Sequence, residues 1–312
     1  MQIIYHSSSS VCFPPSVATV GFFDGLHAGH RALINELKTL AALNSQKSIL
    51  FTFATHPRQV LNPEFQPDLL TTLSEKLKQL ETTGIDVCVV LEFNAAMAKL
   101  SAFDFIKTVL KEQYNVSTLL IGHDHRFGHN RNDGFAEYQQ FGKELNVDVI
   151  QAKRFTTATD AQISSSQIRF ALLNGDIEQS NRLLTYPYSI QGKVVEGFKM
   201  GRKIGFPTAN IVLDNKNKII PTIGVYAVMV YWNKQSYKGM LNIGVRPTLN
   251  NGKNISIEAH LFDFNQDIYN ESIELEFIQK IRDEVKFDGL DKLIEQLGKD
   301  EVTARKILNE VS

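Results

Sequence analysis

The chain has little cysteine, no long apolar run and no excess of charge of either sign. Its two cysteines, Cys12 and Cys88, stand far apart, which excludes a disulfide framework and a thiolate zinc site. No stretch approaches the roughly 18 consecutive apolar residues of a membrane-spanning helix. The start, MQIIYHSSSS, lacks the basic and apolar regions of a secretory signal. A reducing, cytoplasmic location is therefore expected. Lysine and arginine number 33 against 34 aspartates and glutamates, a formal net charge of −1. Neither nucleic acid nor a membrane surface is an expected partner. What is present is ordinary globular material, 43% hydrophobic and 21% charged over 312 residues. That is enough for a sizeable core, and at roughly 100–200 residues per domain it favours two domains. Six of the eight histidines (His27, His30, His56, His123, His125 and His129) fall between residues 27 and 129.

The first half alternates strand and helix patterns. Short apolar runs occur at Ser16–Val20, Ser48–Phe53, Asp86–Leu91, Thr118–Ile121 and Val147–Ile150. Between them, Leu33, Ile34, Leu37, Leu40 and Ala41 have helical spacing, as do Leu73, Leu77 and Leu80. Nearly continuous apolar strands joined by helices imply a doubly wound parallel sheet covered on both faces, with ligands bound beyond the strands' carboxyl ends. The polar segments GFFDGLHAGH, ATHPR, EFN and GHDHRFGH follow four of these strands. From about Tyr188 the pattern changes to short strands with turn punctuation, as at Val225–Trp232, Ile255–Phe262 and Ile273–Phe277. These predict a small antiparallel β-barrel closed by C-terminal helices, the last pair broken at Gly298. The expected boundary lies near Leu184–Tyr188, giving domains 1–185 and 186–312.

In Gly21–Arg31, GFFDGLHAGHR, glycines 21 and 25 permit a tight turn out of a strand, and a helix starts near His27–His30. A helix N-terminus suits phosphate, and His27 and His30 share one face of the first turn. A glycine-rich turn with two surface histidines is the alternative. Further on, ISSSQIR places Ser164, Ser165, Ser166 and Arg169 at a helix start, where they could cap it or hold phosphate. His123, Asp124, His125 and His129 could supply metal ligands, although the flanking glycines fit close ligand approach better.

In the second half, Gly192–Asn210 carries glycines 192, 197, 201 and 205 but lacks a Walker ending. If the stretch is extended, Thr208 and Asn210 point the same way and could help hold Mg²⁺. Glu258 lies on the polar face of its strand, as a general base or as an ordinary solvated carboxylate.

The first-half motifs resemble those of the bacterial FAD synthetases. GFFDGLHAGHR looks like the HxGH adenylyltransferase loop, and ISSSQIR, TFATHPR and GHDHRFG follow in that family's order over about residues 16–182. His125 replaces the usual phenylalanine, and Ser166 the usual threonine. GRKIGFPTAN, NIGVRPTLN, EAHLFDF and KIRDEVKFDGLDKL resemble the riboflavin kinase motifs over about residues 186–310. The resemblance implies a bifunctional enzyme that phosphorylates riboflavin to FMN and then adenylylates FMN to FAD, using ATP with Mg²⁺ in both steps. It implies His27, His30, Arg169 and Glu258 as catalytic, and Thr208 and Asn210 as Mg²⁺ ligands. Gly21, Phe23, Asp24, Gly25, His56, Asp124, Ser165, Ser166, Gly201, Gly205, Thr208 and Arg282 are the implied substrate or nucleotide contacts. A flavin-binding regulator without turnover and an adenylyltransferase for another phosphorylated acceptor are the alternatives. Oligomeric state is not legible.

Overall fold

The apolar runs of the first half alternate between two buried faces, and so they can only sit in the middle of a covered sheet. In the computed structural model, residues 1–6, 13–62, 64–123, 125–129, 132–155, 163–197, 200–245 and 255–310 are described. They divide into two compact units, Met1–Ser164 and Ser165–Ser312. Residues 185 and 186, the expected boundary, lie between the last helix before the barrel and the first barrel strand.

The first unit holds strands β1 (Gln2–Tyr5), β2 (Ser16–Val20), β3 (Lys47–Phe53), β4 (Val87–Leu91), β5 (Val116–Ile121) and β6 (Asp148–Gln151). They form one sheet in the order β1-β4-β3-β2-β5-β6, with every pairing parallel. Ala18, Val20, Ile49 and Phe51 enter one core, while Val17, Leu50, Cys88 and Val90 enter the other. The covering helices are α1 (Ala28–Leu43), α2 (Pro57–Leu61), α3 (Leu73–Glu81), α4 (Ala102–Asp104) and α5 (Phe135–Leu145). Helix α4 runs on as a π-helical stretch, Phe105–Gln113, that buries Phe105, Ile106, Val109 and Leu110. A capping box of Thr72 and Glu75 sets the start of α3. Strand order steps outward from β2 through β3 to β4, then returns to β5 on the other side of β2. The carboxyl ends of β2 and β5 therefore flank the switch point at which such sheets bind ligands.

The second unit opens with helices α6 (Ser165–Asn174) and α7 (Ile177–Leu184). Strands β7 (Ser189–Val195), β8 (Ala209–Leu213), β9 (Gly224–Trp232), β10 (Gln235–Val245), β11 (Ile255–Leu261) and β12 (Ser272–Arg282) follow, with a short helix α8 (Met200–Lys203) between β7 and β8. They close into a barrel in the order β10-β11-β8-β7-β12-β9. Asn233 and Lys234, both at positive φ, make the two-residue turn of the β9–β10 hairpin. The barrel is the predicted one, but its cover differs. A single helix, α9 (Leu290–Glu310), runs straight through Gly298. An interior glycine costs only about 1 kcal/mol against alanine. The stripe Asp300, Ala304 and Leu308 is buried, and the latter two pack with Ala227, Met240 and Phe262.

Candidate active sites

The loop after β2 is held in an unusual backbone shape. Phe23, Gly25 and Leu26 have φ of 54°, 77° and 35°. Only glycine adopts such angles without strain, so Phe23 and Leu26 each store about 1–3 kcal/mol. The surroundings impose that shape. The buried carboxylate of Asp24 accepts from the N–H groups of Leu70 and Thr71 at 3.1 and 3.0 Å, and the Gly25 N–H donates to Thr71 Oγ1 at 3.0 Å. The Phe23 ring lies so close over Gly21 that a Cβ there would sit 2.8 Å from it. Gly21, Phe23, Asp24 and Gly25 thus build the loop.

His27 caps α1. Its Nδ1 accepts the His30 N–H at 3.4 Å, which leaves the neutral ring's proton on Nε2. The two rings stack with centroids 3.7 Å apart, and the Phe23 ring meets His30 edge-on at 5.2 Å. His30 Nδ1 is buried without a hydrogen-bond partner among the described residues. Burial first, then the neighbouring His27, His125 and Lys76, hold the His30 pKa well below the ordinary histidine value. An orphaned imidazole nitrogen at the N-terminus of a 16-residue helix suits a phosphate oxygen.

At the other side of the switch point, the His125 N–H donates to the Gly122 carbonyl at 3.0 Å, and Phe127 stacks on Tyr138 at 4.5 Å. A cavity of about 340 Å³ opens there, lined by Gly122, His123, His125, Arg126, Phe135 and Gln151. Asp124 lies outside the described residues. His56 caps α2 by accepting the Arg58 N–H at 3.2 Å, and its ring meets those of Phe22 and Phe65. Among the described residues, no group of three His, Cys, Asp or Glu side chains is arranged to hold a metal. Ser165, Ser166 and Arg169 lie in α6, at the start of the second unit.

Sequence reasoning missed Lys76. It is 2% exposed, and its Nζ donates to the carbonyls of Phe22 and Phe53, each at 3.0 Å. Its spacing of three from Leu73 and four from Leu80 puts a lysine on the apolar stripe of α3, a signal legible in hindsight.

In the barrel, three predicted residues come together. Asn210 on β8 pairs with Glu258 on β11, and Thr208 Oγ1 donates to Glu258 Oε2 at 3.3 Å. Asn242 on β10 faces Glu258 from the other side, and its role was not foreseen individually. A side chain at Gly197 would collide with the Asn210 amide. Gly201 lies at the start of α8, where its carbonyl accepts from the Phe206 N–H at 2.9 Å, and Gly205 follows with φ 88°. Residues 246–250 of the NIGVRPTLN motif lie outside the described residues. Arg282 commits Nε and Nη2 to the Asp300 carboxylate at 2.9 and 2.6 Å, and Nη1 to the Asp283 carbonyl. It fastens α9 to the end of β12.

A histidine-bearing strand–helix loop on a parallel sheet, followed by a barrel with a Thr–Asn–Glu cluster, defines a two-site phosphate-transfer protein. The FAD synthetase family profile matches residues 10–167 and the riboflavin kinase profile residues 184–308. The chain belongs to the family of bifunctional riboflavin kinase/FMN adenylyltransferases. It is 38% identical over 298 residues to the member from Buchnera aphidicola subsp. Schizaphis graminum, covering 94% of each chain. To the Bacillus subtilis member it is 40% identical over 302 residues, covering 93% of this chain and 91% of that one. A solved structure, the macrolide-efflux protein from Streptococcus pneumoniae, matches with TM-score 0.88 at 31% identity, over 98% of this chain and 99% of that one. Among the described residues, no helix is long and apolar enough to cross a membrane.

Proposed function

We propose that the barrel half transfers the γ-phosphoryl group of ATP to the ribityl 5′-hydroxyl of riboflavin, and that the N-terminal half transfers AMP from a second ATP to the resulting FMN. The observation that carries this reading is that each half assembles its own predicted cluster: His27 against His30 in one, Thr208 and Asn210 against Glu258 in the other.

In the first reaction Glu258 takes the hydroxyl proton as the oxygen bonds to the γ-phosphorus, and ADP leaves. Hydroxyl, amide and carboxylate oxygens gathered around one cross-strand pair fit a small hard cation that keeps phosphate and water as its other ligands. Thr208 and Asn210 would hold Mg²⁺, which when bound neutralises phosphate charge.

In the second reaction an FMN phosphate oxygen bonds to the α-phosphorus of ATP, and pyrophosphate leaves. No protein nucleophile is required, so catalysis consists of positioning and charge stabilisation. His27 and His30 contact the phosphates of ATP. The resemblance assigns Ser165, Ser166 and Arg169 to its outer phosphates. Asp124 and His56 complete the assignment as nucleotide contacts, and Gly201 and Gly205 as the barrel's loop around its own nucleotide. The catalytic halves divide near residue 185, and the setting is cytoplasmic.

The test is incubation of the whole protein with riboflavin, ATP and Mg²⁺, followed by separation of FMN from FAD. Successive appearance of FMN and then FAD is expected. Binding of flavin with neither product would replace this reading by that of a non-catalytic flavin binder.

A further inference from the structure

The most unusual charge in the first unit is the buried ammonium of Lys76. It sits in the first turn of α3, where the positive end of the helix dipole disfavours a cation. Its hydrogen bonds go to two neutral carbonyls, and the Phe22 ring lies beneath it at 4.2 Å. No carboxylate makes an ion pair with it among the described residues. A buried ammonium with no carboxylate in contact with it is costly to desolvate. A fold that only needed to fill this space would do so with methionine or leucine.

The two carbonyls identify what the ammonium serves. Phe22 lies in the histidine-bearing loop after β2, and Phe53 ends β3, immediately before the ATHPR segment. The Thr52 hydroxyl donates to the same Phe22 carbonyl at 3.1 Å. Lys76 thus ties together two neighbouring strand ends at the ligand-binding edge of the sheet. We propose that Lys76 is a positioning residue for adenylyl transfer, fixing the spacing of the loops after β2 and β3.

This rests on the adenylyltransferase reading of the first unit. The titratable groups facing Lys76 are Asp24 in the loop, Cys88 on β4 and His30 on α1. Desolvation lowers the Lys76 pKa to about 8, with Asp24 and then Cys88 opposing the shift. The ammonium form is present below that value and is lost as pH rises through it.

The test uses full-length protein carrying Lys76→Met or Lys76→Arg. FAD formation from supplied FMN and FMN formation from riboflavin are measured on the same samples. Lys76→Met is expected to lower kcat for FAD formation about 10–100-fold, with KM for FMN little changed, as for a misplaced site. Its FMN formation stays at the wild-type level and its melting temperature is unchanged or higher. Lys76→Arg recovers part of the lost kcat. Wild-type FAD formation falls as pH rises through about 8, and Lys76→Met lacks that limb. Wild-type kcat and an unchanged alkaline limb in Lys76→Met would overturn the proposal. If Lys76→Met does not fold, the wild-type profile decides: a flat profile between about pH 7 and 9.5 overturns it, and a falling limb supports it. Wild-type protein that forms no FAD at all would remove the adenylyltransferase reading itself, and the role of Lys76 with it.

Discussion

The imidazole rings of His27 and His30 stack 3.7 Å apart and within 16° of parallel, and the backbone N–H of His30 donates to Nδ1 of His27. The second ring therefore depends on the first for its orientation, and two charged rings cannot share that geometry cheaply. On the proposed reading, the pair is a preorganised set of donors at a helix N-terminus, suited to charge that would develop on phosphate.

Replacing His30 by alanine should separate the two products. FAD formation is expected to fall about 10²–10³-fold, the scale for losing a transition-state donor, while FMN accumulates. Chromatography of a single riboflavin reaction reads both. Equal loss of both products would mean that the two sites do not operate separately.

The same residue should make the protein acid-sensitive. His30 is held neutral, with its pKa well below 6.5, so the unfolded chain binds a proton below pH 6.5 that the folded chain refuses. Stability contributed in this way is complete above 6.5 and falls as pH drops below it. Melting curves between about pH 7.5 and 5.5 are expected to shift less in His30→Asn than in the wild type. Parallel shifts would show that the acid sensitivity arises elsewhere.

Glu258→Gln preserves the side-chain shape and an acceptor for Thr208 but removes the base. FMN formation is expected to fall about 10²–10⁴-fold, with FAD formation from supplied FMN intact. Near-normal phosphorylation of riboflavin in this variant would count against Glu258 as the proton acceptor.

Arg282→Met should behave as a stability variant. It leaves Asp300, 1% exposed, with the Gln296 side-chain amide donating at 2.8 Å. Stranding a buried carboxylate costs about 3 kcal/mol, readable as a lower urea midpoint. An unchanged midpoint with weakened riboflavin binding would instead make Arg282 a ligand contact.

Periodic or local features were the legible ones. The buried runs of β2 to β5, the helix start at His27 and the alternation of Ile255–Phe262 each depend on neighbours within a few residues, which composition and spacing report. Strand β1 escaped notice because Gln2, Ile3 and Tyr5 are exposed at a sheet edge and carry no burial signal. The supposed break at Gly298 failed because the apolar contacts of Ala304 and Leu308, together with the Arg282–Asp300 clamp, outweigh one glycine.

By itself, the sequence determined that the chain has a strand–helix half and a β-rich half, each with a phosphate-type motif at a plausible loop. Only the tertiary structure decided which distant groups each motif residue meets. Asp24 is spent on Leu70 and Thr71, 46 and 47 residues away, Arg282 on Asp300, and Lys76 on a carbonyl 54 residues back. Thr208 meets Glu258 across 50 residues because β8 and β11 are neighbours in the closed barrel. A side chain's chemistry is local to the sequence. The burial, charge and hydrogen-bond partners that direct it come from chain segments that only folding brings together.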